Sequence, residues 1–472
     1  MHIGTLRTVM FDYYLARQTG GQFIVRIEDT DQARLVEGAV ESLLNTFKKL
    51  NIDYDEGPIL LPDGTLSEKG DVGPYTQSKR LDLYRPHADR LLADGNAYVC
   101  FCTSERLVEM RAAQVDAKQN PKYDRRCAGL SLDEVKARQE AGEKFVIRLR
   151  IPEGESKFVD AIRGEISFNN ADVDDQVIIK SDGFASYHLA VVVDDYLMKI
   201  SHVLRGEEWI SSTPKQIILC AMLGIAMPVY AHVPLILNPD KTKLSKRKGD
   251  VSVESYLSKG YLPETLINFI STLGYNPKAD QEIYDRAELV ELFDLSKVSR
   301  AGAVMNIEKL DWMNHQYLMK LTQNELVAAV QPFTTLDLAS PTLQKALIIE
   351  RERVSRLTEF ADKLGAYVGV AAYDPAILTW KKSTTEDSAL QLKNVTAVIG
   401  QLDEAAFAEV VLLEAAIKEY ITINGLQNGN VLWPMRVALS GLEKSASPYE
   451  LLWALGKEES LARLQRALEL VG

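Results

Sequence analysis

The chain of 472 residues has no apolar run long enough to cross a membrane and no recognisable secretory signal. Its longest apolar stretches, such as Ile217 to Met222 with their neighbours, fall far short of the ~20 residues that a membrane helix needs. Asp12 and Arg17 interrupt the only apolar stretch near the start, where a signal would need continuity. We therefore expect a cytoplasmic protein without a membrane span.

Cysteine is also scarce, with four residues in the whole chain. So few thiols cannot form the disulfide framework of a small secreted protein. Cys100, Cys102 and Cys127 nevertheless cluster in the sequence, which raises the question of metal binding. Cys220 falls on the apolar face of a predicted helix, and we expect it in the core.

Excess positive charge is lacking too, because the net charge is −12. Attraction to phosphate scales with local positive charge, so any contact with nucleic acid must come from local basic patches. Hydrophobic residues at 46% and charged residues at 25% are ordinary for a globular protein. The length predicts two to four packed units.

The first fifty residues predict a helix, a strand and a second helix. Apolar residues from Leu6 to Tyr14 follow the three-and-four spacing of one helical face, and Gly20 and Gly21 end the helix. A β-branched run from Phe23 to Ile27 predicts the strand, and a polar segment after it can cap a helix that ends near Leu50. This order predicts a doubly wound α/β layer.

Further elements follow along the chain. Strands are predicted at Phe145 to Ile151, Val177 to Lys180, Ala190 to Val193, His202 to Arg205 and Pro234 to Leu237. Helices are predicted at Thr213 to Leu223, Pro263 to Leu273 and Ala287 to Phe293, and amphipathic helices fill the chain beyond about Gln316. The fold class is therefore α/β, a Rossmann-like doubly wound parallel sheet with an inserted α+β subdomain, followed by an all-α C-terminal domain. The predicted segments are residues 1–72, 73–187, 188–250, 251–322 and 323–472.

Two short motifs could handle phosphate. His2-Ile3-Gly4-Thr5 stands at the start of the first helix, where unpaired N–H groups and the helix dipole favour an anion. The cationic loop from Lys241 to Gly249 follows a predicted strand and could neutralise a polyphosphate. Taken singly, the histidine could be an unimportant exposed residue, and the loop could be a solvated charge run.

Together the two motifs resemble the ATP-handling motifs of class I aminoacyl-tRNA synthetases. Further blocks narrow the resemblance to the glutamyl enzymes of bacterial type, and they span nearly the whole chain. These blocks are Arg-Ile-Glu-Asp-Thr-Asp (26–31), Gly-Pro-Tyr-Thr-Gln-Ser (73–78), Ser-Asp-Gly-Phe-Ala-Ser-Tyr-His-Leu-Ala (181–190), Arg-Gly-Glu-Glu-Trp (205–209), Leu-Asn-Pro-Asp-Lys-Thr-Lys-Leu-Ser-Lys-Arg (237–247), Gly-Leu-Gln-Asn-Gly (425–429) and Trp-Pro-Met-Arg (433–436).

The resemblance implies residue roles at the ATP end of the site. His2 and Gly4 would hold the ATP phosphates, and Lys243, Ser245 and Lys246 would close over them. His2, Lys243 and Lys246 would be the catalytic residues, because they would stabilise charge on the reacting phosphoryl group. Glu208 and Trp209 would lie near the nucleoside.

At the amino-acid end, the resemblance implies that Glu28 pairs with the ammonium group of the substrate. Tyr187 and Arg205 would orient its carboxylates, a task suited to a phenol donor and a bidentate guanidinium. The alternatives are a capping role for Glu28, a packed Tyr187 and a surface Arg205.

The implied activity is the ligation of glutamate to tRNA(Glu) with ATP and Mg²⁺, by a monomer. The inserted segment would hold the acceptor end of the tRNA, residues 251–322 would contact its stem, and the last helical unit would read the anticodon. Candidate RNA contacts there, each with a solvated surface charge as its alternative, are Arg351, Arg353, Arg356, Lys381, Lys382 and Arg436.

The sequence departs from the family pattern at its start and at Val191. Family members carry a strand of the type Arg-Phe-Ala-Pro-Ser-Pro-Thr-Gly before the histidine motif, and here only Met1 precedes it. We expect the true start to lie upstream, and the rival hypothesis is a non-catalytic tRNA-binding remnant of a synthetase. At Val191 the family commonly has an asparagine beside the substrate.

The third departure concerns the clustered cysteines, which resemble the zinc-binding insertion of some glutamyl enzymes. The fourth ligand there is typically a histidine two positions after the last cysteine, and Gly129 stands at that position here. Tyr123 is a candidate substitute, although tyrosine is an unusual zinc ligand. The two interpretations are zinc on Cys100, Cys102, Tyr123 and Cys127, or reduced and partly buried cysteines.

Overall fold

A computed structural model describes residues 1–31, 35–244, 251–381 and 383–471. The chain divides into two compact units, the first made of Met1–Glu254 with Ile267–Asn306 and the second of Ser255–Leu266 with Ile307–Gly472. Within the described ranges, no helix combines the length and the apolar character that a bilayer crossing requires.

The helices and strands are numbered in chain order. The helices are α1 (Ile3–Thr19), α2 (Ala39–Lys49), α3 (Leu81–Ala93), α4 (Ser104–Asp116), α5 (Leu132–Glu140), α6 (Tyr187–Leu197), α7 (Thr213–Leu223), α8 (Val253–Ser258), α9 (Pro263–Ser271), α10 (Arg286–Leu292), α11 (Ile307–Lys320), α12 (Gln323–Val330), α13 (Pro341–Arg351), α14 (Glu359–Val368), α15 (Thr385–Gln401), α16 (Val410–Ile423), α17 (Asn428–Ser440) and α18 (Pro448–Val471). The strands are β1 (Gly57–Leu60), β2 (Leu66–Lys69), β3 (Ala97–Cys100), β4 (Val146–Leu149), β5 (Glu155–Asp160), β6 (Gly164–Asn169), β7 (Val177–Ile179), β8 (His202–Gly206), β9 (Val229–Val233), β10 (Ile236–Leu237) and β11 (Ala303–Val304).

The main sheet of the first unit has the order β6-β5-β9-β8. Strand β9 pairs in parallel with both β5 and β8, whereas β5 and β6 form an antiparallel hairpin. Helix α1 packs beside β8 and α7 beside β5, as expected for an α/β layer. The hairpin belongs to the segment predicted as an insertion, yet it extends this sheet.

A second sheet, β3-β4-β7, is entirely antiparallel. It lies in the same predicted insertion as α4 and α5. Helix α5 begins with a capping box in which the Ser131 and Glu134 side chains bond reciprocally to backbone N–H groups. The predicted α+β character of the insertion is therefore observed.

The predicted strand from Phe23 to Ile27 is extended but forms single bridges rather than a ladder. Ile24 pairs with Glu56 and Ile27 with Thr76, both in parallel. The Ile27 N–H donates to the Tyr75 carbonyl at 2.8 Å. This pairing fixes the backbone that leads directly into Glu28.

One predicted strand was wrong. The run from Ala190 to Val193 lies inside helix α6, not in a strand. All residues from Leu189 to Asp195 are buried, so the apolar run reflects a helix surrounded by protein rather than the two faces of a strand. Helix α7, by contrast, has the predicted bounds, with Pro214 in its first turn and Gly224 in the left-handed region after it, at φ 63°.

The second unit is helical throughout its described elements from α11 to α18. Its core is formed by apolar residues of α13, α15, α17 and α18, among them Leu347, Val395 and Leu439. Helix α18 is interrupted at Gly456, where φ is 76° and ψ is 174°. The predicted order of an α/β unit followed by an all-α unit is confirmed, whereas the finer division into five segments stays a prediction.

Candidate active site

Helix α1 begins within the first candidate motif, His2-Ile3-Gly4-Thr5. The His2 imidazole caps the helix, because its Nδ1 accepts a hydrogen bond from the Gly4 N–H at 2.9 Å. The ring proton therefore lies on Nε2, which can donate. A Cβ atom at Gly4 would lie 3.1 Å from His2 Nδ1, so glycine keeps room for this cap. The arrangement suits an anion at the helix terminus.

Lys243 stands in a hairpin that follows β10. Its backbone bridges back to Leu237, and the Leu244 N–H donates to the Ile236 carbonyl at 3.0 Å. The Lys243 side chain is exposed. Ser245 and Lys246, the other predicted residues of this loop, lie outside the described residues.

The chain returns from this hairpin to the start of α1. The Ile3 N–H donates to the Val251 carbonyl at 2.8 Å, and His2 forms an antiparallel bridge with Ser252. Leu244 and Val251 are seven residues apart, so their Cα atoms can be separated by at most about 25 Å. The two phosphate motifs, some 240 residues apart in sequence, are thus joined through a short segment.

Glu208 lies near the second turn of α1. Burial lowers the pKa of Arg7 to about 10, and the negative charges of Glu207 and Glu208 oppose that shift. The Glu207 carboxylate accepts a hydrogen bond from the Leu235 N–H at 2.9 Å, just before β10. His2 and Gly4 thus form the start of α1, and the charge of Glu208 acts on Arg7 in the following turn.

Tyr187, Arg205 and Trp209 form a second group. The Tyr187 and Trp209 ring centroids are 4.8 Å apart, and the Arg205 guanidinium carbon lies 5.9 Å from the Trp209 centroid. Burial raises the pKa of Tyr187, and the charge of Glu28 raises it further while Arg205 opposes the shift. The phenol therefore stays protonated at neutral pH and can donate a hydrogen bond.

Glu28 belongs to the same electrostatic neighbourhood, because its charge acts on Tyr187. Its carboxylate pairs with the Arg26 guanidinium at 3.0 Å and remains partly accessible, with the side chain 35% exposed. Arg26 also pairs with Asp195 at 2.9 Å. Glu28 is held in place but keeps a face open to a cationic group.

The sequence did not point to three residues around Arg205. Asp160, Thr213 and His232 are buried and hydrogen-bonded in one network with it. His232 is an ionisable residue in the otherwise apolar strand β9, and that exception was the available signal. Asp160 at the end of β5 carried no comparable signal.

Comparison of the chain with known proteins identifies its family. The family model for tRNA synthetases class I (E and Q), catalytic domain, matches residues 1–312, and that for an anticodon binding domain matches residues 325–468. A glutamate–tRNA ligase of Dehalococcoides mccartyi (strain ATCC BAA-2266 / KCTC 15142 / 195) is 44% identical, with 99% of this chain and 95% of the relative covered. The chain belongs to the class I glutamyl-tRNA synthetase family. A glutamate–tRNA ligase of Clostridioides difficile (strain 630) is 41% identical, with 98% and 96% covered.

The family's fold is matched by a solved structure as well. The crystal structure of a glutamate tRNA ligase from Elizabethkingia meningosepticum CCUG26117, in complex with its amino acid, has a TM-score of 0.89 at 31% identity. It covers 100% of this chain and 97% of that one. The predicted membership of this synthetase family is confirmed.

Val191, where the glutamyl-tRNA synthetase family commonly has asparagine, lies one helical turn after Tyr187 on α6. Its side chain is 6% exposed. Residues four apart share a helical face, so the side chain at position 191 borders the same region as the Tyr187 phenol. Valine offers no hydrogen bond there.

The three clustered cysteines are brought together around the Tyr123 hydroxyl. Their sulfur atoms all lie within 4.8 Å of one another, and the Cys102 and Cys127 sulfurs are 3.7 Å apart. The Tyr123 oxygen is 3.3 Å from the sulfurs of Cys100 and Cys102. Gly129, where some glutamyl-tRNA synthetases carry a histidine, has open space around the position of a Cβ atom.

In the second unit, most candidate RNA contacts already have protein partners. Arg353 pairs with Glu450 at 2.8 Å, and Arg356 pairs with Glu359 at 2.8 Å. Arg351 donates to the Leu321 carbonyl at 3.0 Å. Lys381 lies over the Trp380 ring and Arg436 is partly buried on α17, whereas Lys382 lies outside the described residues.

Proposed function

We propose that the chain activates glutamate with ATP and transfers it to the terminal adenosine of tRNA(Glu). The observation that carries the proposal is the grouping of Tyr187, Arg205 and Trp209 next to Glu208, in a chain similar over its whole length to glutamate–tRNA ligases. Trp209, which is assigned with Glu208 to the ATP end, contacts Tyr187 and Arg205 of the amino-acid end, and this contact supports a single site for both substrates.

In the first step, the substrate carboxylate attacks the α-phosphorus of ATP and pyrophosphate leaves. Catalysis needs no protein nucleophile, because the substrates carry both reacting groups and the site supplies position and charge. The positive end of the α1 dipole, the Nε2–H of His2 and Lys243 would stabilise the phosphates. Ser245 and Lys246 join this set on the resemblance alone.

Glu28 would take the ammonium group of glutamate, and Tyr187 and Arg205 would bind its carboxylates. In the second step, a hydroxyl of the terminal tRNA adenosine attacks the carbonyl carbon of the adenylate, and AMP leaves. The match of an anticodon binding domain to residues 325–468 supports the proposal that the helical unit reads the anticodon. Mg²⁺ would accompany ATP. A monomer is what the resemblance implies, whereas the cytoplasmic location and the five-segment division stay predictions from the sequence.

The test is the exchange of ATP and pyrophosphate that depends on both glutamate and tRNA(Glu), measured on the full-length protein. The Tyr187→Phe variant should raise the KM for glutamate about 10-fold and leave the KM for ATP unchanged, because one hydrogen bond to the charged substrate is lost. Tyr196→Phe is the matched control, since Tyr196 lies on the same helix and is 51% exposed. No exchange from the wild-type protein with retained tRNA binding would support the non-catalytic rival.

We also propose that Cys100, Cys102, Tyr123 and Cys127 hold a structural zinc ion. At a Zn–S distance of about 2.3 Å, a tetrahedral site has S–S edges of about 3.8 Å. The observed edge of 3.7 Å between Cys102 and Cys127 fits this size. Four protein ligands would close the site, so the ion would cross-link the end of β3 to the loop that carries Cys127.

Zinc content of the purified protein tests this site. Wild type and a Cys220→Ala control should each bind about one zinc per chain, whereas Cys102→Ser and Tyr123→Phe should bind it weakly. Gly129→His added to Tyr123→Phe should restore binding, because the open space at Gly129 can take the ring. Zinc-free wild type would refute the site, and full affinity in Tyr123→Phe would exclude the phenolate.

A further inference from the structure

Arg205 is held by two acceptors on neighbouring elements. Its Nε donates to His232 Nε2 at 3.1 Å, and its Nη2 donates to Thr213 Oγ1 at 2.8 Å. The guanidinium carbon also lies 5.0 Å from the Tyr230 ring centroid. A guanidinium has five N–H donors in a fixed plane, so two such contacts determine where the remaining donors point.

Asp160 is fixed in turn by the backbone. Its Oδ1 accepts from the N–H groups of Ile162 at 3.0 Å and Arg163 at 2.9 Å, and its Oδ2 accepts from the His232 N–H at 3.0 Å. Burial raises the pKa of Asp160, but the hydrogen bonds from His232 and these backbone groups outweigh it and hold the pKa below its ordinary value. Asp160 is therefore an ionised carboxylate and accepts only.

This carboxylate determines the tautomer of His232. His232 Nδ1 lies 2.6 Å from Asp160 Oδ2, so Nδ1 carries the proton that the carboxylate accepts. The Arg205 Nε–H can only donate, so His232 Nε2 must present a lone pair. The neutral Nδ1–H form satisfies both neighbours, whereas a protonated ring would set one N–H against another. The His232 and Asp160 side chains are fully buried, so water cannot replace the hydrogen bond between them.

The three residues stand on three adjacent strands. Asp160 ends β5, His232 lies in β9 and Arg205 lies in β8, and Arg205 and His232 are direct partners in the parallel register. The pairing of the three strands therefore fixes the distances between Asp160, His232 and Arg205. Buried charged groups such as Asp160 and Arg205 often contribute less to the free energy of folding than apolar residues of the same volume would. Stability alone therefore does not explain their presence here.

We propose that His232 and Asp160 are positioning residues that orient the Arg205 guanidinium toward the glutamate substrate. The proposal rests on the role of Arg205 in the proposed function. Asp160 selects the His232 tautomer, His232 accepts from Nε, and Thr213 accepts from Nη2. The Arg205 guanidinium carbon lies 5.9 Å from the Trp209 ring centroid, and that ring lies 4.8 Å from the Tyr187 ring, so the oriented guanidinium stands beside the proposed amino-acid site.

The experiment compares KM values for glutamate and for ATP in the exchange assay on the full-length protein. His232→Leu should raise the KM for glutamate about 10- to 100-fold while the KM for ATP changes less than about twofold. His232→Gln should recover part of the loss, because its amide oxygen can accept from Arg205. His202→Leu is the matched control, since His202 lies at the other end of β8 and bonds to Ser201 at 3.0 Å.

The outcomes separate the two proposals. A wild type without glutamate-dependent exchange refutes the proposed function. An active wild type with an unchanged glutamate KM in His232→Leu, or with equal rises in both KM values, refutes the positioning role alone. If His232→Leu fails to fold, Thr213→Val provides the same KM comparison, because it removes the acceptor of Nη2 with little change in shape.

Discussion

Arg463 offers a quantitative test of the helical unit. Its guanidinium is buried, with the residue 2% exposed, and donates to the carbonyls of Ala366 at 2.6 Å, Leu439 at 2.7 Å and Tyr367 at 3.1 Å. These carbonyls lie at the C-terminal ends of α14 and α17, where a cation also opposes the negative end of the helix dipole. One side chain therefore satisfies two helix ends at once.

The Arg463→Met variant keeps the apolar stem but leaves the buried carbonyls of Leu439 and Tyr367 and the part-buried carbonyl of Ala366 without their donor. Each unsatisfied group costs about 1–3 kcal/mol, and the apolar replacement and local relaxation return part of the sum. We expect a loss of about 3–5 kcal/mol in the free energy of unfolding, at the lower end of the sum for three such groups. With a urea m-value of about 2 kcal/mol/M, the midpoint should fall by about 2 M.

Tryptophan fluorescence during urea unfolding of the full-length protein measures this effect, because Trp312, Trp380, Trp433 and Trp453 all belong to the second unit. Arg466→Met is the matched control, since Arg466 is exposed on the same helix. Unfolding midpoints of the two variants within about 0.5 M of each other, a difference of about 1 kcal/mol at that m-value, would contradict the role of these three hydrogen bonds.

Two further changes should shift the free energy of unfolding in a direction that the structure determines. Burial lowers the pKa of His188 to about 4, so the unfolded chain binds a proton between pH 6.5 and 4 that the folded chain does not, and stability falls as the pH falls through that window. Wild type should lose about 2 kcal/mol more than His188→Gln between pH 7 and 5, and equal acid sensitivity in urea unfolding would contradict the assignment. Gly429→Ala would place a Cβ 2.4 Å from the Trp380 ring and should cost about 1–3 kcal/mol with a shifted emission maximum, whereas Gly400→Ala, with open space around it, should be neutral or stabilising by about 1 kcal/mol.

Local sequence patterns were sufficient to predict helices whose first and last turns carry typical terminal residues. Helix α7 was predicted with its observed bounds, and Pro214 and Gly224 stand at its two termini, where such residues are common. The valine run in α6 misled the prediction, because burial on all sides removes the polar positions that reveal a helical period. The strand pairing of β5 with β9 depends on residues 70 apart, such as Asp160 and Tyr230, and no local pattern reports such pairing.

The residues of the candidate site also fall into two groups, those that a local sequence motif identifies and those that it does not. His2, Gly4 and Lys243 stand in short motifs, so the sequence identified them, and the structure gives each a defined backbone setting. Asp160 and His232 act on Arg205 through side chains that meet only after the sheet has formed. Motif resemblance therefore identifies residues proposed to contact substrate more readily than residues proposed to position them.

The pairing of β5 with β9 also limits how this protein can be re-engineered. The predicted insertion, residues 73–187, contains Asp160 and the hairpin that lines the edge of β9. A chimera that grafts this segment from another synthetase would replace the carboxylate beside His232 together with the surface intended for exchange. Such a graft must include a side chain that can pair with His232 as Asp160 does, or it will change how His232 holds Arg205.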